Sequence, residues 1–183
     1  LNLPGPYATF ILASLGAEVI KVEPPRGDPG RTMTGMFDKV NRGKRAITLD
    51  LRDQASATTR DALLAWADVV VEGFRPGVMD RLGAGFAHAR AQSPRVIYAS
   101  ISAFGQTGPR VDQPAHDLNL QALAGISHTE RSPSAPNGLV LPVADLSTSL
   151  CAVASITAAL AGKTGPTHLD LTMADAALSW SEL

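Results

Sequence analysis

Val69-Val70-Val71-Glu72, followed by Gly73-Phe74-Arg75-Pro76-Gly77, is the stretch whose reading decides the fold. Three consecutive β-branched residues bounded by a Gly/Pro turn spell a short strand covered on both faces, as in parallel sheets. Upstream lies a helix expected over 54–66, with Asp53 as its N-cap and an apolar face at Ala62, Leu63 and Trp66. Before it come strands at 46–50 and 18–23, and an apolar helix over 7–15 closed by Gly16. Downstream, 78–82 and 86–92 read as helices and 95–101 as a strand leading into the glycine loop of 103–109. A turn and short helix over 114–124, a polar loop over 127–138, a small-residue helix beginning at Asp145, a strand at 168–171 and a helix over 173–183 complete the chain. Strand alternating with helix predicts an α/β domain around a parallel sheet, without a second core. In an open sheet of this kind the ligand sits beyond the carboxyl ends of the strands, where Arg52, Gly73 and Arg75 fall.

Composition narrows the partners. The 183 residues are 45% hydrophobic and 18% charged with net charge -1, which lacks the basic excess that a nucleic-acid backbone demands. The apolar run over 146–161 is interrupted by Ser and Thr and is shorter than a membrane span, so it reads as a buried helix. Its Cys151 is expected to be a buried small hydrophobe, and a lone cysteine suits a reducing cytosol. Leu1 opens the chain directly on a turn without an initiator Met, so preceding residues are expected.

Two features compete for ligands. Arg26, Arg31, Lys39, Arg42, Lys44 and Arg45 crowd one polar loop over 26–45, which is either a solvated face or a site for a phosphorylated ligand. The Gly turn, helix and strand ending at Glu23 have the order of a dinucleotide site, but only Gly5 of its three glycines is present. Most chemistry-bearing residues lie instead between Ser100 and Asp145. His88 is expected to be exposed, His168 to point out from its strand, and His128 to lie on the surface, all without a role.

Four segments carry a family resemblance: 15–23 (LGAEVIKVE), 72–78 (EGFRPGV), 105–109 (GQTGP) and 116–119 (HDLN). In this order and spacing the chain resembles the N-terminal half of the family III CoA-transferase superfamily (CaiB/BaiF type). That group includes formyl-CoA transferase, carnitine CoA-transferase and α-methylacyl-CoA racemase. The resemblance implies a Rossmann-like, open, mainly parallel sheet with flanking helices over 1–183. It also implies that the family's second half, with its small domain, lies outside this sequence, and that the protein forms interlocked homodimers. Coenzyme A enters as part of the substrate, with no permanently bound cofactor, no metal and no membrane partner. Its contacts map to Arg52, Gly73, Arg75 and Arg81.

The resemblance further implies two chemistries. Asp145 matches the transferase aspartate that attacks an acyl-CoA thioester and carries first the acyl group and then CoA. His116 matches the histidine that, in racemases, works with that aspartate on the α-proton. His116 tips the expectation toward racemase-like α-proton exchange on a 2-methylacyl-CoA. The alternatives are CoA transfer to a carboxylic acid and a CoA-binding fragment without catalysis. Asp145 at a helix N-terminus is expected to be held ionised by the helix dipole, and Asp117 to orient His116. Amides of the 105–108 glycine loop, or of Leu146 and Ser147, are candidate donors to a thioester enolate.

Overall fold

The computed structural model describes residues 3–33, 35–126, 141–162 and 165–181. His128 and the 127–138 loop lie outside them. Helix α1 (Pro4–Ser14) leads to β1 (Ile20–Glu23), α2 (Met36–Asn41) and β2 (Arg45–Thr48). Then follow α3 (Ala57–Trp66), β3 (Val69–Glu72), α4 (Val78–Arg81), α5 (Phe86–Gln92) and β4 (Ile97–Ser102). Helix α6 (Asp117–Leu123), α7 (Val143–Gly162), β5 (Thr167–Thr172) and α8 (Met173–Ser181) close the order.

All the strand pairs are parallel, but they form two sheets, β1-β2 and β3-β4-β5. The single sheet expected from the alternation is therefore divided. Every residue of β4 is buried, as a central strand with helices on both faces requires. Its period of two sends Ile97, Ala99 and Ile101 into one core with Leu12 of α1, Leu120 of α6 and Ile156 of α7. Tyr98 points the other way, into a second core with Leu64 of α3 and Ala89 of α5. Enclosing a side chain such as Ile101 or Leu120 contributes about 1.5–3 kcal/mol.

Helix α7 is apolar and, at 20 residues, long enough by composition to cross a membrane. It packs on α1, α6, α8, β4 and β5 as the central helix of the domain. Ala144, Thr148, Ala152, Ile156 and Ala159 form its buried stripe. Cys151 falls outside that stripe and is exposed, contrary to expectation, because helical period rather than mean apolarity decides which side is covered.

Other expectations change in the same way. On α3 the buried residue is Leu64, while Ala62 and Trp66 are exposed, so the apolar face lies one position away from the one read in sequence. The 26–45 loop contains α2, whose Val40 is buried. His88 is half-buried and lies 2.9 Å from Asp61 Oδ1, which also accepts from Arg60 Nε at 3.0 Å. His168 Nε2 lies 2.9 Å from Ser100 Oγ, and its ring stacks on Phe86 at 4.9 Å. His88 is thus less exposed than expected, while His168 is exposed on its strand, as expected.

Candidate active site at the start of α7

Asp145 sits within the first turn of α7, which begins at Val143 rather than at Asp145 itself. Its backbone N–H, one of the helix's initial unpaired donors, is taken by Asp117 Oδ1 at 3.1 Å. Asp117 stands in the first turn of α6, so one carboxylate joins the starts of two helices. Gln121 donates from Nε2 to Asp117 Oδ2 and, at 3.0 Å, to the Leu141 carbonyl that precedes α7. Gln121 is fully buried, and its Oε1 has no partner among the described residues. An unpaired buried acceptor costs about 1–3 kcal/mol. Ser149 Oγ lies 2.7 Å from the Asp145 carbonyl and 3.0 Å from that of Pro4, tying the same turn to the start of α1.

Electrostatics at Asp145 run opposite to the dipole expectation. Burial, followed by the nearby Asp117 charge, pushes its pKa up to about 6. The charge-stabilising effect of a helix N-terminus is confined to about 0.3–1 kcal/mol at exposed positions, and desolvation exceeds it here. His116 is exposed, and its backbone N–H donates to Asn119 Oδ1 at 3.1 Å. The Asp117 carboxylate is engaged by Asp145 and Gln121, so it positions α7 instead of orienting His116.

Three of the proposed enolate donors are engaged elsewhere. Gly105 N–H donates to Ser102 Oγ at 3.0 Å, Gln106 N–H to Asp170 Oδ2 at 2.8 Å, and Leu146 N–H to the Pro142 carbonyl at 2.9 Å. The first bond ties the glycine loop back to the end of β4, and the second holds it against β5. Gly105 has φ +87, and a Cβ there would lie 3.2 Å from Asp170 Oδ2, so glycine is required.

The cations separate into paired and free groups. Arg52, beyond β2, is clamped on Asp50 by two bonds of 3.0 Å. Arg31 forks onto buried Glu23 at 2.8 and 2.9 Å and covers the Phe37 ring. Lys21 pairs with Asp28, and Arg45 with Glu18. Lys44 donates to the Pro6 carbonyl at 2.8 Å and to Asn41 Oδ1 at 3.1 Å, and burial, helped by Lys21, pushes its pKa down to about 8. Arg75 and Arg81 are exposed and form no ion pair among the described residues. Gly73 and Arg75 directly follow β3, as the open-sheet rule anticipates.

Arg75 borders a cleft of about 250 Å³ shared with Glu72, Phe86, Tyr98, Gln106 and His168. Glu72 accepts from Phe74 N–H at 2.8 Å, and burial raises its pKa. Gln106 Nε2 is buried there without a partner among the described residues. Sequence reading gave Glu72, Gln106 and Gln121 no role of their own. Glu72 and Gln106 stand in segments that carry the family resemblance, and Gln121 lies one helical turn after Asp117 on the same face. Among the described residues no group of three or more His, Cys, Asp or Glu side chains is placed to hold a metal ion.

The chain is similar to known proteins along nearly its whole length. The chain is 40% identical to acetyl-CoA:oxalate CoA-transferase of Acetobacter aceti over 97% of its own length and 49% of that protein. It is 38% identical to succinyl-CoA:mesaconate CoA-transferase of Haloarcula hispanica over 98% of its length and 50% of the relative. Among solved structures, Rv3272 of Mycobacterium tuberculosis superposes with TM-score 0.93 at 34% identity, covering 99% of this chain and 54% of that one. A CAIB/BAIF family protein of Brucella suis gives 0.90 at 34% identity, over 97% and 51%. The chain thus spans about half the length of the curated relatives it matches. With the sequence pattern of the family matched over residues 1–183, the chain belongs to CoA-transferase family III.

Proposed function

We propose that this chain serves CoA transfer from an acyl-CoA to a carboxylic acid, with Asp145 as the attacking carboxylate. The observation that carries the reading is Asp145 itself, half-buried and presented by the first turn of α7 through Asp117. A pKa of about 6 leaves it mostly ionised at neutral pH yet more basic than a solvated aspartate, which suits a nucleophile. Asp145 attacks the thioester carbonyl, the C–S bond breaks, and CoA leaves as its thiolate, giving an acyl-aspartyl anhydride. The thiolate then attacks the aspartyl carbonyl and releases the first acid, which leaves an aspartyl thioester of CoA. An incoming carboxylate reverses both steps and departs as the new acyl-CoA, so no proton or electron is consumed overall.

Of the cations matched to CoA contacts, Arg75 and Arg81 form no ion pair among the described residues and suit the CoA phosphates, and Arg52 joins them if its clamp on Asp50 opens. We place transfer ahead of α-proton exchange, the reverse of the order drawn from His116, because the relatives' names describe CoA moving between acids. Exchange is retained as the second reading on account of exposed His116, adjacent in sequence to the Asp117 that holds Asp145. We also place the protein in the cytosol, on its single cysteine, and expect a homodimer. Exposed Leu150, Leu160, Leu178 and Trp180 on α7 and α8 offer apolar surface for one.

The test is incubation with acyl-CoA followed by hydroxylamine trapping and mass spectrometry. A hydroxamate at Asp145, absent in Asp145→Asn, supports transfer. Wash-in of deuterium at the α-carbon without any Asp145 adduct would establish exchange instead, and CoA binding with neither reaction would leave a binding role.

A further inference from the structure

Gln121 lies on α6 one turn after Asp117, so the two side chains share a face of the helix. Its amide group contacts both the Leu141 carbonyl and Asp117 Oδ2. A backbone carbonyl only accepts, so the atom facing Leu141 is the amide nitrogen, and Asp117 Oδ2 on that same nitrogen is an acceptor as well. Asp117 Oδ1 accepts the Asp145 N–H at 3.1 Å. Both oxygens of Asp117 therefore meet N–H donors, which favours its charged form. The Asp145 carboxyl has no such donor among the described residues, so the first proton taken up by the pair belongs there. This orientation leaves Gln121 Oε1 without a partner among the described residues, a cost that an apolar side chain of equal volume would avoid.

We propose that Gln121 is a positioning residue which, acting through Asp117, assigns the exchangeable proton of the carboxylate pair to Asp145. Its significance for catalysis rests on Asp145 being the attacking carboxylate. Among the described residues the group whose charge acts on Asp145 is Asp117, which raises its proton affinity. Helix α1 and strand β4 carry no charged side chain. His116 precedes α6, while Asp170 of β5 and Asp175 of α8 border the groove beside Thr148, one turn along α7.

The experiment is a pH titration of the chain labelled with ¹³C at the aspartate carboxyls, read by NMR without acyl-CoA. Signals are assigned with Asp117→Asn and Asp145→Asn. In the unsubstituted chain the Asp145 signal is expected to titrate at about 6. Gln121→Met, which keeps the volume and removes the donor, is expected to bring the titration curves of the two carboxyls together, the proton then being shared between them. Gln121→Glu donates only while protonated and is expected to separate the curves less than Gln121 does. It replaces Gln121→Met if that variant does not fold. Curves as far apart as before, in whichever variant folds, overturn the proposal. Because no thioester is present, this outcome is independent of whether Asp145 forms an adduct.

Discussion

Replacing Asp145 by Asn sets two fields at the start of α7 against each other. Folded Asp145 releases its proton at about 6, against 3.8 for the ordinary side chain. A gap of roughly two pH units at about 1.4 kcal/mol each gives a ceiling near 3 kcal/mol. Because the carboxyl is only half-buried, solvent screening reduces this to about 1–2 kcal/mol. The sign follows from linkage. Below the unfolded value both states hold the proton, and the contribution is fully present. As pH rises toward 6 the unfolded chain ionises first, and stability is lost until the folded group ionises too. Asn mimics the protonated side chain and has nothing to lose. Asp145→Asn is therefore expected to match the unsubstituted chain near pH 4 and to exceed it by about 1–2 kcal/mol at pH 7–8. Urea unfolding of both proteins across this range measures the difference directly. A helix dipole that dominated the site would make Asn less stable as pH rises, by about 0.3–1 kcal/mol. That result, or a difference independent of pH, would refute the reasoning. A gain in stability on losing the proposed nucleophile is the usual mark of a carboxylate kept for chemistry.

Three other perturbations test neighbouring parts of the structure. Glu23→Gln removes the acceptor of the Arg31 fork and should cost about 1–2 kcal/mol in urea unfolding, since Arg31 is half exposed. The pair holds the Glu23 pKa below its ordinary 4.5, so the stability it contributes is present above that value and lost as pH falls through the lower folded one. A difference that persists undiminished in acid would contradict the pairing. Gly85→Ala would bring a Cβ to 3.0 Å from Asp80 Cα, a backbone atom that cannot swing away. The thermal midpoint should fall with a cost of about 1–3 kcal/mol, and an unchanged midpoint would count against the packing around the Arg75 cleft. In calorimetric titration with CoA, Arg75→Ala should weaken binding about tenfold, while Arg52→Ala, already paired with Asp50, should matter less. The opposite ranking would reassign the phosphate contacts.

Local sequence determined most of the elements and their order, helix α2 inside the 26–45 loop excepted. Val69-Val70-Val71-Glu72 forms β3 over those same four residues, because a run of β-branched side chains between turn residues has few other stable arrangements. The parallel pairing followed from strands alternating with helices, and the family was legible in short motifs whose spacing survives in the fold. Asp145 could be picked out as a carboxylate at the start of a helix. What surrounds it could not, since its environment is assembled from α6, α7 and α1, which are distant in sequence. The sign of its pKa shift depends on burial and on a second carboxylate 28 positions earlier, quantities that exist only once the helices pack. The same holds for Arg52 and Arg75, equal as cations in the sequence and unequal once Asp50 occupies one of them. Charge and helix propensity belong to residues, and sequence shows them. Desolvation, proton sharing and the freedom of a guanidinium belong to neighbourhoods, and only the tertiary structure decides those.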